Sequence, residues 1–133
     1  MCLRVDGRIQ AAVQYLEEAW QWRKNHSSED HPSRLTSQHA LADAYQANGQ
    51  VRDAVELLQQ VFTIRERVLA EDHPDRLASQ HALAVAYWAD GQVQDAVKLL
   101  QQVVAIQERV FTEDHPGRLE SQHEITYMLG ANS

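Results

Sequence analysis

The chain has 133 residues, is 44% hydrophobic and 23% charged, and carries a formal net charge of −7. This composition is typical of a folded globular protein, and the negative charge argues against nucleic acid or an anionic membrane surface as a partner. No window of about 18 residues is apolar throughout, so we expect no membrane-spanning helix. The first residues contain no secretory apolar run, and the single Cys2 excludes an intrachain disulfide and suits a reducing compartment. We therefore expect a cytoplasmic protein.

A period of 42 residues organises the chain. Segments 31–72 and 73–114 are identical at 30 of 42 positions. Self-similarity at a fixed period predicts a repeat array, in which each unit buries its apolar face against its neighbours. We predict one repeat domain over residues 1–133, with a partial repeat at 1–30, full repeats at 31–72 and 73–114, and a partial repeat at 115–133.

The N-terminal segment is predicted to begin inside the array. By the 42-residue period, Gly7 aligns with Gly49 and Gly91. Glycine at the end of a helix adopts the left-handed conformation of a cap without strain. We therefore expect residues 1–6 to be the end of a helix from a longer array, followed by a turn at Gly7 and a helix over about 8–24.

Each full repeat is predicted to contain two helices. The first runs from Pro32 to Ala47 and from Pro74 to Ala89, because proline is favoured at the first position of a helix and Asn-Gly or Asp-Gly ends it. The second runs over about 50–69 and 92–111, where apolar residues recur at steps of three and four. No stretch alternates with a period of two, so we expect no sheet.

The third copy starts like the others at Pro116 and then diverges. Glu124 and Thr126 stand where the earlier copies have alanine, and Leu129 stands where they have tyrosine. No second helix follows this copy in the sequence, so we expect both ends of the array to expose repeat faces. Self-association through these ends, or a role as a structural spacer, is therefore an alternative to ligand binding.

The repeated motifs resemble those of a known family. Leu-Ala-x-x-Tyr occurs at 41–45 and 83–87, and Ala-x-x-Leu-Leu occurs at 54–58 and 96–100. These motifs resemble the tetratricopeptide repeat, and the 42-residue period with its Asp-His-Pro loop resembles the kinesin light chain type. The string Asp-His-Pro-x-Arg-Leu-x-Ser-Gln-His at 72–81 is similar to the C-terminal repeats of fungal NOD-like receptors.

The resemblance implies an all-α fold, a right-handed superhelical solenoid of antiparallel helix pairs. It implies a protein- or peptide-binding module without a cofactor, the ligand-sensing fragment of a larger fungal NOD-like receptor. A kinesin light chain-like cargo adaptor is the alternative context. One departure matters, because kinesin light chains place two asparagines where this chain has His39-Ala40 and His81-Ala82. Capture of a peptide backbone by asparagine therefore does not carry over.

Differences between the two full copies indicate where a ligand binds. In the first helix the copies differ at 33/75, 36/78, 43/85 and 46/88, steps of three, seven and three that place these positions on one helix face. By family geometry this stripe lines the concave groove. The predicted ligand-binding residues are Thr36, His39, Asp43, Gln46, His81, Val85, Trp88, Glu120, His123 and Tyr127.

Two observations limit this interpretation. Exposed positions also drift when nothing constrains them, and the second helix differs at 52/94, 56/98 and 65/107, positions that we expect to be exposed. Trp88, whose counterpart is Gln46, is either an exposed hot spot for binding or a side chain that covers an apolar seam between helices.

The seven histidines do not predict a metal site. His39, His81 and His123 lie in successive repeats, too far apart to share an ion whose ligands sit at about 2.1 Å. His31 and its counterparts at 73 and 115 precede a proline, so we expect them to fix the turn by packing and hydrogen bonding. No glycine-rich phosphate loop and no nucleophile–base pair is present, and we expect no enzymatic activity.

Overall fold

A computed structural model describes residues 2–132 of the chain, with side chains for 7–130. This range is all-α, as predicted, and contains no strand. The six helices are α1 (Cys2–His26), α2 (Pro32–Ala47), α3 (Val51–Val68), α4 (Pro74–Ala89), α5 (Val93–Val110) and α6 (Pro116–Asn132). The bounds predicted for α2 and α4 are confirmed to the residue.

The helices form two compact units, Met1–Val68 and Leu69–Ser133. In the first unit α2 packs against both α1 and α3, and in the second α5 packs against both α4 and α6. Because only a short turn joins α2 to α3, and α4 to α5, each of these pairs is antiparallel.

Small and aliphatic residues at equivalent positions form the core of each unit. In the second unit the buried cluster consists of Leu77, Ala84, Ala96, Leu100, Val103 and Met128. Its counterparts in the first unit are Leu35, Ala42, Ala54, Leu58 and Val61, all of which are 5% exposed or less. Alanine at 42, 54, 84 and 96 is fully buried, so the paired helices can approach each other closely.

A histidine caps the start of three helices. Nδ1 of His31 accepts a hydrogen bond from the backbone N–H of Ser33 at 3.1 Å, and His73 and His115 accept from residues 75 and 117 at the same distance. A side-chain acceptor at this position satisfies one of the four unpaired N–H groups of a helix start. The predicted role of the loop histidines in fixing the turn by hydrogen bonding is confirmed.

Glycine ends α2 and α4 as predicted. Gly49 and Gly91 have φ of 82° and 83°. After α2, the N–H of Gly49 donates to the carbonyl of Gln46 and the N–H of Gln50 donates to the carbonyl of Tyr45, at 3.1 and 2.8 Å. This pair of bonds is a Schellman motif, which satisfies the last carbonyls of the helix.

The predicted turn at Gly7 is wrong. α1 continues from Cys2 to His26 without interruption, and Gly7 does not have a positive φ. Glycine permits the left-handed conformation but does not require it. At Gly49 the backbone bonds to Gln46 and Tyr45 hold that conformation, whereas around Gly7 the backbone stays helical.

The two kinds of glycine give opposite expectations for alanine substitution. Gly49→Ala is expected to lower the free energy of unfolding by about 1 kcal/mol, because a side chain disfavours positive φ; a Cβ there meets no atom within 4 Å, so no clash contributes. Gly7→Ala is expected to raise it by up to about 1 kcal/mol, because alanine is the better helix former. Urea unfolding followed by circular dichroism measures both, and destabilisation by Gly7→Ala would contradict the continuous helix.

Candidate functional site

In the first unit, the predicted stripe lies on the accessible face of α2. Thr36 and Asp43 are exposed, and His39 and Gln46 are partly buried. The residues that the two copies share on the other face, Leu35, Leu41 and Ala42 among them, are 4% exposed or less. The positions that differ between copies are therefore available to a ligand.

In the second unit, the predicted residues lie on α4 and α6. His81, Val85 and Trp88 of α4 are partly buried, whereas Glu120, His123 and Tyr127 of α6 are exposed. The structure brings one pair of them together across the two helices. The rings of Trp88 and Tyr127 meet edge to face, with centroids 6.0 Å apart and an interplanar angle of 61°.

Trp88 is not an exposed tryptophan. It packs against the core cluster of the second unit, and the ring of Tyr127 lies against it. The sequence left open whether Trp88 is exposed for binding or covers an apolar surface. Most of its ring covers an apolar surface. Tyr127, which is 66% exposed, presents the larger free aromatic surface of the pair.

A histidine, an aspartate and an arginine form a charged group in the first unit. Nε2 of His39 lies 3.6 Å from Oδ2 of Asp43, one helical turn later. Burial of the imidazole lowers the pKa of His39; the attraction of Asp43 opposes this shift and the positive charge of Arg65 on α3 adds to it. The neutral imidazole is thus favoured, and it can both donate and accept a hydrogen bond.

The equivalent positions in the second unit have different chemistry. His81 faces no carboxylate at the next turn, because Val85 replaces the aspartate, and Gln107 replaces the arginine. Nε2 of His81 and Oε1 of Gln107 are both buried, and neither atom has a hydrogen-bond partner among the described residues. One scaffold therefore carries a charged group in one repeat and unsatisfied polar atoms in the next.

One expectation about the second helix is wrong. Positions 52/94 and 56/98 are exposed, but Arg65 and Gln107 are 7% and 6% exposed. Arg65 follows Leu58 and Val61 by seven and four residues, which places it on the buried face of α3. The helical spacing alone indicates this burial, but the residue type favours exposure, because an arginine is rarely found on a buried face.

A second surface, which the sequence did not indicate, lies on the first unit. A cavity of about 450 Å³ is lined mostly by residues of polar type from α2, α3 and the loop before α2, among them Arg34, Gln38, Glu56, Thr63 and Arg67. Arg34 and Gln38 lie on the opposite side of α2 from the stripe, and none of the predicted binding residues lines this cavity. Its hydrophilic lining resembles any solvated surface, so only the differences at 56/98 and 63/105 could have indicated it.

Within the part of the chain that the structure describes, no group of three or more histidine, cysteine or acidic side chains is arranged to hold a metal ion. Across the same residues, no helix combines the length and the apolar character needed to span a bilayer.

The chain is similar to known repeat proteins in both sequence and structure. The tetratricopeptide repeat family matches residues 1–67, 41–109 and 75–129. A crystal structure of the nearly identical TPR-like repeats of a kinesin light chain-like protein from Podosopora anserina has 56% sequence identity and a TM-score of 0.91, and the match covers 95% of this chain and 60% of that one. A single-substitution variant of it has 55% identity and a TM-score of 0.91, with coverage of 95% and 59%. The chain thus spans about 60% of the length of these solved chains. No curated protein matches the sequence.

The lowered pKa of His39 predicts that the free energy of unfolding depends on pH. Its folded pKa lies below the unfolded value of 6.5, so between the two values the unfolded chain binds more protons. The contribution of His39 to the free energy of unfolding is therefore complete above about pH 6.5, and it is lost as the pH falls through the folded pKa. We expect His39→Gln to flatten the loss of unfolding free energy between about pH 7 and pH 5.

An NMR titration separates the contributions to this shift. Asp43→Val, which introduces the residue found at position 85, is expected to lower the pKa of His39 further, because it removes the only attraction that opposes the shift. Glu18→Gln removes one negative charge elsewhere in the same unit and serves as the control. A His39 midpoint above 6.5, or one raised by Asp43→Val, would contradict this account.

Proposed function

Because the chain belongs to the tetratricopeptide repeat family, whose repeats are generally protein-interaction modules, we propose that it binds a protein or peptide, in the first unit through the accessible face of α2 and in the second unit through those of α4 and α6. Its fold is the all-α solenoid of that family. Such scaffolds are not typically catalytic, and we propose that this chain acts by binding alone, without a cofactor.

One observation carries the proposal. In two copies that share 30 of 42 residues, the buried positions of the first helix are identical, while the accessible positions 36/78 and 43/85 differ. Between these positions both copies retain a partly buried histidine, His39 or His81. A constant scaffold with a variable face is the arrangement that a module needs to recognise different partners.

The two units offer a ligand different contacts. α2 presents the hydroxyl of Thr36, the carboxylate of Asp43 and the amide of Gln46, whereas α4 presents Val85 and Trp88. Partly buried aromatic side chains with polar neighbours are frequent among the residues that dominate binding energy. We therefore expect Trp88 and its partner Tyr127 to contribute more to affinity than the polar stripe of α2.

Within this function, we propose that the module is the sensing part of a larger fungal NOD-like receptor and acts in the cytoplasm. The near-identity of its repeats and the similarity of 72–81 to such receptors support this context. A kinesin light chain-like cargo adaptor is the alternative, supported by the name of the similar Podosopora anserina protein. A nucleotide-binding domain encoded in the same gene would favour the receptor, and its absence from the complete gene would favour the adaptor.

The proposal predicts that exchange of the stripe changes the ligand. Thr36→Ala, Asp43→Val and Gln46→Trp together give α2 the residues of α4 at three of the four stripe positions that differ, and they leave its buried residues unchanged. Peptides selected by display on the original chain are expected to lose affinity for this variant. For peptides that contact Trp88, Trp88→Gln is expected to weaken binding about 30-fold, which corresponds to about 2 kcal/mol.

A matched control tests the alternative surface. Glu56→Lys and Thr63→Ala also replace residues of the first copy by those of the second, but they line the 450 Å³ cavity instead of the stripe. We expect this pair to leave peptide affinity unchanged. If the control loses binding while the stripe exchange retains it, the ligand occupies the cavity and the proposed site is wrong.

Self-association is a second candidate function, favoured by the exposure of apolar residues on α1 and α6. Leu119 is 47% exposed, whereas its counterparts Leu35 and Leu77 are 4% exposed, and Tyr15 of α1 is 71% exposed. These side chains could bury against a second copy. Light scattering across a range of concentrations is expected to show a mass that rises with concentration in that case, and Leu119→Glu is expected to abolish the rise. A monomer at all concentrations would reject this candidate.

A further inference from the structure

On the basis of the proposed function, we propose that the α6 face of the second unit binds a positively charged side chain, arginine or lysine, of the bound peptide. The face consists of Glu120, Glu124 and Tyr127, with the ring of Trp88 behind Tyr127. We call it the acidic–aromatic face.

The aromatic part of this face is built by two helices. Trp88 of α4 is held against the core, and Tyr127 of α6 meets it edge to face at 6.0 Å. The 66% exposure of Tyr127 leaves its ring available to a ligand. A guanidinium or ammonium group over such a ring is attracted by the negative face of the π system, and arginine stacks there especially well.

The acidic part lies on the same face of α6. Glu120, Glu124 and Tyr127 follow one another at steps of four and three residues, which places them side by side on a helix. A depression of about 410 Å³ is lined by His123, Glu124 and Tyr127 and joins the carboxylate to the ring. One arginine side chain could thus contact Tyr127 with its guanidinium plane while donating to a carboxylate.

The two carboxylates are uncompensated within the part of the chain whose side chains the structure describes. Neither Glu120 nor Glu124 forms an ion pair among residues 7–130, whereas Glu71 in the same unit pairs with Arg109. Like charges four residues apart on a helix repel each other. A bound cation would relieve this repulsion, and an anionic ligand would increase it. The negative charge of the two carboxylates therefore favours a positively charged partner.

The face is specific to the third copy. Glu120 and Tyr127 stand where α4 has Ala78 and Val85, and Glu124 stands where it has Ala82. Divergence of this copy thus introduced two acids and one aromatic ring on one side of the helix.

Two small amides, one charged and one neutral, test the proposal on the full chain. N-acetyl-arginine amide is expected to shift the Trp88 indole N–H resonance, assigned with Trp88→Gln, in a saturable manner that weakens as salt is raised. N-acetyl-citrulline amide has nearly the same shape without the charge, and we expect it to bind at least about tenfold more weakly. Equal shifts from both amides, or no shift from arginine, would overturn the proposal.

Matched variants test whether the carboxylates of Glu120 and Glu124 cause the preference for arginine. Glu120→Gln with Glu124→Gln is expected to abolish the preference for arginine over citrulline. Glu108→Gln with Glu113→Gln makes the same change in net charge at exposed positions outside this face, and we expect it to retain the preference. A preference lost in both pairs would show a general effect of net charge and would reject the site.

Peptide display distinguishes this inference from the proposed function. Selected peptides should be enriched in arginine or lysine, and the enrichment should disappear on the Glu120→Gln, Glu124→Gln chain. Peptides that bind the stripe without basic residues would reject the inference and leave the proposed function intact. Failure to select any peptide would reject both.

Discussion

The close pairing of the first and second helix of each repeat is the constraint on which the other features depend. Fully buried alanines at 42, 54, 84 and 96 let the two helix backbones approach each other. A larger side chain at any of these positions would force the helices apart or push a neighbour out of its preferred conformation. Because the pairing fixes how each helix is rotated about its axis, it also fixes which side chains remain accessible.

Polar contacts at the helix ends keep that rotation the same in every copy. The loop histidines start α2, α4 and α6, and the nearby Arg34, Arg76 and Arg118 each donate to the carbonyl seven residues earlier. Gln38 and Gln80 donate to Gln60 and Gln102 and so tie the first helix to the second. These bonds need particular atoms at particular places, which explains why the same residues stand at these positions in both full copies.

The copies diverged in chemistry at both accessible and buried positions while keeping their geometry. The first unit carries His39 beside Asp43 and Arg65, and the second unit has unsatisfied polar atoms on His81 and Gln107 at the same positions. The last copy adds carboxylates beside an aromatic ring. A single helical hairpin thus supplies several surfaces that differ in charge and polarity, and on the proposed function specificity arises from these surfaces rather than from the fold.

The sequence by itself determined the period, the bounds of α2 and α4, the capping residues and the accessible stripe, because each of these follows from local signals or from helical spacing. Only the tertiary structure decided that α1 continues through Gly7, that Trp88 packs on the core beside Tyr127, and that a cavity lies opposite the stripe. Each of these depends on which residues distant in sequence surround a side chain or hold a backbone conformation. The local sequence limits the conformations and positions that a residue can adopt, whereas its neighbours in space decide which of them it adopts.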